Sequence, residues 1–252
     1  MRRAARPLAA AALLGLALAA AGAEPACKGT LYLTIDTGHM EPAEGIAAIL
    51  RKHGVKATFF LANQPTKRGD TSLDPSWAPY WKRLADEGHA FGSHTWRHWY
   101  IGGDLRGEKV AYVPMNGQRG EALDRDGLCA ELKKPEEAFR KMTGRGFDGI
   151  WRAPGGKVSP RAIAFAQSCG YNHVAWSPAG FSGDELPSDR FPGDKLIARQ
   201  LADIRDGDVL LWHLGIWSRE DPLWPRLDEL IAGLKAKGFC FARIPDSPRW
   251  KR

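Results

Sequence analysis

The sequence lacks the features of a membrane-spanning or nucleic-acid-binding protein. Beyond residue 20 no apolar run approaches the ~20 residues that a membrane-spanning helix requires. The 36 basic side chains are scattered, and without the three arginines of the first six residues they exceed the 29 acidic ones by only four. Nucleic-acid binding requires a concentrated basic face. We therefore expect no transmembrane segment and no nucleic-acid partner.

Cysteine is also scarce, and the chain has no internal repeat or low-complexity linker. The four cysteines do not stand at metal-ligand spacing from one another. Tryptophan, by contrast, is abundant: several of the ten crowd around polar motifs, where their flat rings could stack on a sugar. Residues 24–252 are expected to form a single domain, which is long enough to bury one substantial core.

The first 23 residues have the pattern of a secretory signal peptide. Arg2, Arg3 and Arg6 precede an apolar run over 8–20, and residues 21–23 read Ala-Gly-Ala, a small-residue cleavage site. We therefore expect an exported protein, periplasmic or secreted, in which disulfides are permitted.

Short apolar runs alternate with amphipathic segments along the rest of the chain. Seven runs predict strands, at 31–36, 55–61, 90–94, 147–152, 172–177, 208–213 and 239–244. Helical periodicity and capping residues predict helices between them, whereas residues 100–126, with five glycines, are expected to be irregular. This alternation predicts an α/β fold with parallel strands, either an open doubly wound sheet or a closed barrel.

Polar and aromatic residues stand where the predicted strands end. In parallel α/β folds these carboxyl ends meet at one edge, where the chemistry lies. A single residue of this kind would more often be a loop cap, a surface ion pair or a core histidine. Their joint occurrence indicates a functional site; the residues are Asp36, His94, His98, Arg152, Trp176 and His213.

The two histidines of residues 94–98 are typical metal ligands. Neutral imidazole is the commonest protein ligand for Zn²⁺. A spacing of four residues lets both rings face one point if the segment coils directly after its strand.

These motifs, in this order, resemble those of the polysaccharide deacetylases, the NodB-homology domain of carbohydrate esterase family 4. Residues 94–98 match the family's H-[ST]-x-x-H and residues 211–213 match its L-x-H, while residues 34–38 and 152–155 are modified forms of T-F-D-D-G and R-x-P-Y. The resemblance covers residues 29–244. It implies a distorted parallel (β/α) barrel of about seven strands.

The resemblance also implies roles for the site residues. Asp36 would be the general base that deprotonates the attacking water, oriented by Arg152, and His213 would be the general acid that protonates the leaving amine. The backbone N–H of Gly155 would help to bind the oxyanion.

By the same resemblance His94 and His98 would hold a divalent metal ion, most readily Zn²⁺. Thr37, however, stands where the family has the aspartate that is its third ligand. A neutral hydroxyl is a poor Zn²⁺ ligand. Asp36, a water molecule or His39 could take its place, or the site could have lost its metal.

A second motif, the family's D-x-x-D-W, is missing, and its aspartate tunes the acid histidine. Asp184 and Asp189, in the loop after the fifth predicted strand, are the candidate partners of His213. The aromatic residues expected to contact substrate are Trp96, Trp176 and Trp212.

The barrel also predicts a disulfide. Cys27 precedes the first strand and Cys240 lies in the last, and these two strands approach each other in a closed barrel. A pairing of Cys129 with Cys169 would be strained, because the two are expected at opposite ends of the barrel.

The sequence thus predicts a metal-dependent hydrolase that removes N-acetyl groups from amino sugars of a cell-envelope or extracellular glycan. Two alternatives stay open. One is a deformylase or deacylase of another acylated amine, and the other is an inactive member that only binds glycan.

Overall fold

A computed structural model of the chain describes residues 27–250, so the predicted signal peptide, residues 1–23, lies outside the described residues. The strands are β1 (Gly29–Asp36), β2 (Thr58–Leu61), β3 (Ala90–Ser93), β4 (Tyr100–Leu105), β5 (Lys109–Val113), β6 (Glu121–Leu123), β7 (Ile150–Trp151), β8 (Asn172–His173), β9 (Val209–His213) and β10 (Phe239–Ala242). The helices are α1 (Ala43–His53), α2 (Ala78–Asp86), α3 (Arg125–Thr143), α4 (Pro160–Ser168), α5 (Gly193–Asp203) and α6 (Leu227–Ala236). None of the helices in residues 27–250 is long and apolar enough to cross a membrane.

Strand β1 lies at the centre of a curled, parallel sheet of seven strands. It pairs with β10 along its first half, with β2 along its second half, and with β9 over residues 32–36. From β2 the order continues through β3 and β7 to β8. Irregular backbone after β8 then reaches β9, where Ser177 N–H donates to Val209 O and Leu211 N–H donates to Gly180 O. The predicted distorted parallel barrel is confirmed.

An aromatic cluster fixes the helices on the outside of the sheet. Phe59 of β2 and Phe91 of β3 stack with ring centroids 5.8 Å apart, and Trp81 of α2 meets Phe59 edge-on. Phe139 of α3 packs on Phe91, and all four rings are fully buried. Burial of such a side chain contributes roughly 1.5–3 kcal/mol, so this cluster anchors α2 and α3 against the strands.

Residues 100–126 are not the irregular excursion that the sequence predicts. They contain β4, β5 and β6, which form a second, antiparallel sheet. Val110 and Tyr112 are buried on one face of β5, so this strand alternates as a half-buried strand should. Gly107 and Glu108 have φ of +69° and +50°, a conformation used in tight hairpin turns. The glycines within β4 and in the turns between the strands led the sequence pattern to indicate irregular structure.

Two disulfides join distant parts of the chain. Cys27 pairs with Cys240 as expected, with 5.6 Å between the Cα atoms. Cys129 also pairs with Cys169, at 6.0 Å between Cα atoms, so the expectation of a strained pairing was wrong. That expectation placed the start of α3 away from the end of α4. In the structure both sulfur atoms contact the carbonyl oxygen of Phe165, because the first turns of α3 pack against the last turn of α4.

Candidate active site

The carboxyl ends of β1, β3 and β9 open into a cavity of about 670 Å³. Tyr100 of β4, the segment that follows β5 and the loop after β9 form its outer walls. Arg152 lies beneath this cavity, while other residues singled out in the sequence line it directly: Asp36, Thr37, His94, His98, Gly155, Trp176 and His213.

The guanidinium of Arg152 holds the carboxylate of Asp36. Its Nη1 donates to Asp36 Oδ1 at 2.9 Å and to Thr34 Oγ1 at 2.8 Å, and its Nε donates to Val174 O at 3.1 Å. Burial lowers the pKa of the Arg152 side chain, and the negative charge of Asp36 opposes this shift. Because Arg152 occupies Oδ1, the other oxygen of Asp36 is the one that faces His94, with 3.4 Å between Oδ2 and Nε2.

The imidazoles of His94 and His98 converge through their Nε2 atoms, which are 3.2 Å apart. The Nδ1 of His94 lies 2.9 Å from the carbonyl oxygen of Arg152. A carbonyl can only accept, so Nδ1 carries the proton and Nε2 keeps its lone pair, the tautomer that a metal ligand needs. Burial lowers the pKa of His94 to about 3 and that of His98 well below its usual range, so both rings are neutral at pH 7.

The chain between the two histidines is a loop and not the helical turn that the spacing suggests. Thr95 and His98 both adopt left-handed backbone conformations, with φ of +61° and +56°. This conformation costs an L-residue roughly 1–2 kcal/mol, and a β-branched residue such as threonine adopts it rarely. The two left-handed residues reverse the chain, and this reversal brings both rings to the same point.

The three residues proposed as a third metal ligand differ in their hydrogen bonds and in whether they lie beside the two imidazoles. The Thr37 hydroxyl accepts a hydrogen bond from Ala62 N–H at 3.1 Å. His39 does not line the cavity, because its Nδ1 accepts from Glu41 N–H and its ring packs edge-on against Trp217, so we withdraw it as a ligand. Asp36 is the one with an oxygen close to an imidazole of the pair, since its Oδ2 lies 3.4 Å from His94 Nε2.

The donor set fits a metal ion held by two imidazoles. Ligand atoms 2.0–2.1 Å from a tetrahedral ion stand about 3.3 Å apart. The Nε2 atom of His94 lies 3.2 Å from that of His98 and 3.4 Å from Asp36 Oδ2. Nevertheless, no group of three or more His, Cys, Asp or Glu in residues 27–250 has the arrangement of a complete metal site. Two imidazole nitrogens and one carboxylate oxygen therefore stand at separations that a metal ion would accept, without forming a complete site.

His213 is paired with Asp184, one of its two predicted candidate partners. His213 Nδ1 lies 2.9 Å from Asp184 Oδ1, and the His213 backbone N–H donates to Oδ2 at 2.9 Å. Burial acts to lower the pKa of His213, but the charges of Asp184, Asp36 and Glu185 outweigh it and raise that pKa to about 9. The ring is therefore an imidazolium at neutral pH. Glu185 was not predicted, although it follows Asp184 directly and lies 3.9 Å from His213 Nε2.

Two glycines shape the wall beside the predicted oxyanion position. Gly155 and Gly156 have φ of +60° and +67°. A Cβ at Gly155 would lie 2.5 Å from the Tyr100 ring, and one at Gly156 would lie 2.6 Å from Trp176. Tyr100, from β4, thus fills the space that a side chain at position 155 would take. The sequence pattern could not reveal this, because β4 itself was not predicted.

The three tryptophans that were expected to contact substrate lie in different environments in the structure. Trp176 lines the cavity. Trp212 is fully buried in the core, so its ring has no face free for a ligand. Trp96 packs against the core near Leu73 and Met142, outside the cavity. We therefore withdraw Trp212 and Trp96 as substrate contacts, since both point away from the cavity. Trp99 and Trp217, which were not assigned to the site, line the cavity instead.

Comparison with known proteins gives a consistent set of similarities. The sequence profile of the polysaccharide deacetylases matches residues 23–174. A chitooligosaccharide deacetylase of Azorhizobium caulinodans is 25% identical over 231 residues, which are 86% of this chain and 94% of that protein.

Solved structures have the same fold. A peptidoglycan N-acetylglucosamine deacetylase superposes with a TM-score of 0.66 at 25% identity, over 88% of this chain and 89% of the other. A carbohydrate esterase family 4 pseudoenzyme of Bacillus anthracis, in a mutant with restored activity, superposes with a TM-score of 0.65 at 23% identity, over 87% and 67% of the two chains. At that identity the second structure is similar in fold alone.

Proposed function

Because the chain belongs to the polysaccharide deacetylase family, we propose that it hydrolyses N-acetyl groups of amino sugars in a cell-envelope or extracellular polysaccharide. One observation carries the proposal: a carboxylate, an imidazolium and two converging neutral imidazoles line one cavity. Amide hydrolysis needs a base, an acid and an electrophile at one place. The carboxylate and the imidazolium supply the base and the acid, and a metal ion held by the two neutral imidazoles would supply the electrophile.

Asp36 acts as the base in this proposal. Arg152 occupies one carboxylate oxygen, so the oxygen that faces His94 takes the proton of the attacking water. The buried guanidinium fixes the carboxylate in one orientation. Such fixed geometry supplies part of the rate acceleration, because the base needs no rearrangement before it acts.

His213 acts as the acid. Asp184 binds Nδ1, so the Nε2 proton is the one directed to the leaving nitrogen. An amine leaves readily only when it is protonated, and a pKa of about 9 keeps the proton on His213 at neutral pH.

His94 and His98 would hold a divalent metal ion through Nε2, and Zn²⁺ is the ion that such a ligand set favours. When bound, this ion polarises the acyl carbonyl and lowers the pKa of water to ~7. The backbone N–H of Gly155 would donate to the developing oxyanion.

Glycan binding and export belong to the same proposal. Tyr100, Trp99, Trp176 and Trp217 offer aromatic faces around the cavity, on which sugar rings stack. Two disulfides support a periplasmic or secreted location, because such bonds persist in oxidising compartments.

Acetate release tests the proposal. N-acetylglucosamine oligomers and peptidoglycan are incubated with the protein, and acetate is measured with and without a chelator. We expect release that the chelator abolishes, that Asp36→Asn lowers by about 10²-fold or more, and that His94→Ala abolishes together with metal binding. Normal rates in Asp36→Asn would contradict the assignment of the base.

An inactive, glycan-binding protein is the second candidate. The observation in its favour concerns Thr37, which stands at the position of the expected third ligand. Its hydroxyl already accepts a hydrogen bond from the backbone N–H of Ala62. In that case the protein binds the oligomers but releases no acetate at any metal concentration.

A further inference from the structure

A buried carboxylate lies beneath the loop of residues 94–98. Glu131, on α3, is only 4% exposed. Its Oε2 accepts from the backbone N–H of Arg97 at 3.1 Å, and its Oε1 accepts from the Arg97 Nε at 2.9 Å. No role in the reaction described above falls to Glu131, yet a buried carboxylate is costly unless its partners satisfy it.

Tyr112 extends these contacts to the rest of the loop. This fully buried residue of β5 places its hydroxyl 2.9 Å from both Glu131 Oε2 and Thr95 Oγ1. Trp99 N–H donates to the same hydroxyl at 3.4 Å. Burial raises the pKa of Tyr112, and the charge of Glu131 adds to the shift, so the hydroxyl keeps its proton.

The contacts therefore reach residues 95 and 97 of the loop and residue 99 directly after it, while the imidazoles at 94 and 98 face the cavity. Arg97 is held at its outer end by Glu121 of β6, which accepts from Nη1 at 2.7 Å and from Nη2 at 3.0 Å.

We propose that Glu131 is a positioning residue: it holds the reversed loop so that the Nε2 atoms of His94 and His98 converge before any metal binds. The inference rests on the proposed function in that these imidazoles are metal ligands. The loop passes through two left-handed residues, a conformation that a free segment leaves readily. Because the described residues of this site offer two strong ligands, metal affinity depends on how well this pair is pre-arranged.

Glu131→Gln tests the inference, with Glu136→Gln as its matched control. Glu136 lies on the same helix and also accepts from an arginine and a tyrosine, Arg140 and Tyr171, but it does not touch the loop. Metal-free protein is titrated with Co²⁺, and the absorption of bound Co²⁺ is followed. We expect Glu131→Gln to weaken Co²⁺ binding by about 10- to 100-fold, the range for residues that orient metal ligands, and Glu136→Gln to leave it unchanged.

Hydrogen exchange of the metal-free proteins is the second readout. Amides of residues 95–99 should exchange faster in Glu131→Gln than in Glu136→Gln or the wild type. Equal Co²⁺ affinity in Glu131→Gln and the wild type, or equal exchange in the two variants, would overturn the inference. If the wild type itself fails to bind Co²⁺, the proposed function fails, and the exchange rates still decide whether Glu131 holds the loop.

Discussion

At the level of single residues, the proposed base and the proposed acid each depend on one buried, oppositely charged side chain. Arg152 fixes the base, and Asp184 sets the acid. Of these four residues, Asp36, Arg152 and His213 could be identified in the sequence, because each ends a strand. Asp184 could only be named beside Asp189, since nothing in a loop sequence tells which carboxylate turns inward.

Replacement of Asp184 by Asn should shift the alkaline limb of the activity profile. His213 must be protonated to act, so activity falls as the pH rises through its pKa, about 9 in the folded protein. The amide keeps an acceptor but removes the charge. We expect the alkaline limb of kcat/KM to move down by about one to two pH units. An unchanged limb would mean that another group is the acid.

Replacement of Thr37 by Asp should supply a third metal ligand. Position 37 is buried and lines the cavity, so a carboxylate there would lie beside the imidazoles. We expect Zn²⁺ affinity, measured by competition with a chelator, to rise at least about tenfold. Thr37→Val, which is neutral, is the control and should give no gain. No gain in Thr37→Asp would contradict the placement of position 37 within reach of the metal ion.

At the level of elements, the strands and helices of the barrel were predictable from the sequence, whereas the antiparallel sheet beside the site was not. The seven parallel strands lie in apolar runs that the sequence reveals, whereas β4 to β6 pair antiparallel and are joined by glycine-containing turns. Tyr100 and Tyr112 therefore escaped prediction, although the first stands two residues after His98. Glu131 escaped as well, because a glutamate within a helical pattern indicates a solvated face.

The two disulfides should contribute unequally to stability. The Cys27–Cys240 bond closes 213 residues and the Cys129–Cys169 bond closes 40. The chain-entropy relation gives the longer loop about 1.5 kcal/mol more stabilisation. Paired Cys→Ser variants compared by urea unfolding should show the larger loss for Cys27 and Cys240. Equal losses, or the reverse order, would contradict this account.

At the scale of the whole molecule, buried neutral histidines make the fold sensitive to acid. Burial lowers the pKa of His89 and His173 to about 4, that of His94 to about 3 and that of His98 well below its usual range. The unfolded chain takes up these protons near pH 6.5, while the folded chain does not. Stability is therefore present above pH 6.5 and is lost as the pH falls towards 4.

Urea unfolding of the metal-free protein at pH 7 and at pH 5 measures this loss. Each of the four histidines contributes up to about 1.4 kcal/mol per pH unit in this window. His213 acts in the opposite direction, because its raised pKa gives stability that is full below pH 6.5 and is lost as the pH rises through 9. A midpoint that does not fall between pH 7 and pH 5 would contradict the buried, neutral state of these rings.

A metal titration tests whether one ion held by His94 and His98 makes this cavity a deacetylase. Zn²⁺ is added stepwise to metal-free protein, and acetate released from N-acetylglucosamine oligomers is measured after each addition. We expect acetate release to rise in proportion to the metal and to level off at about one ion per chain. No acetate at saturating metal, or full release before any metal is added, would contradict it.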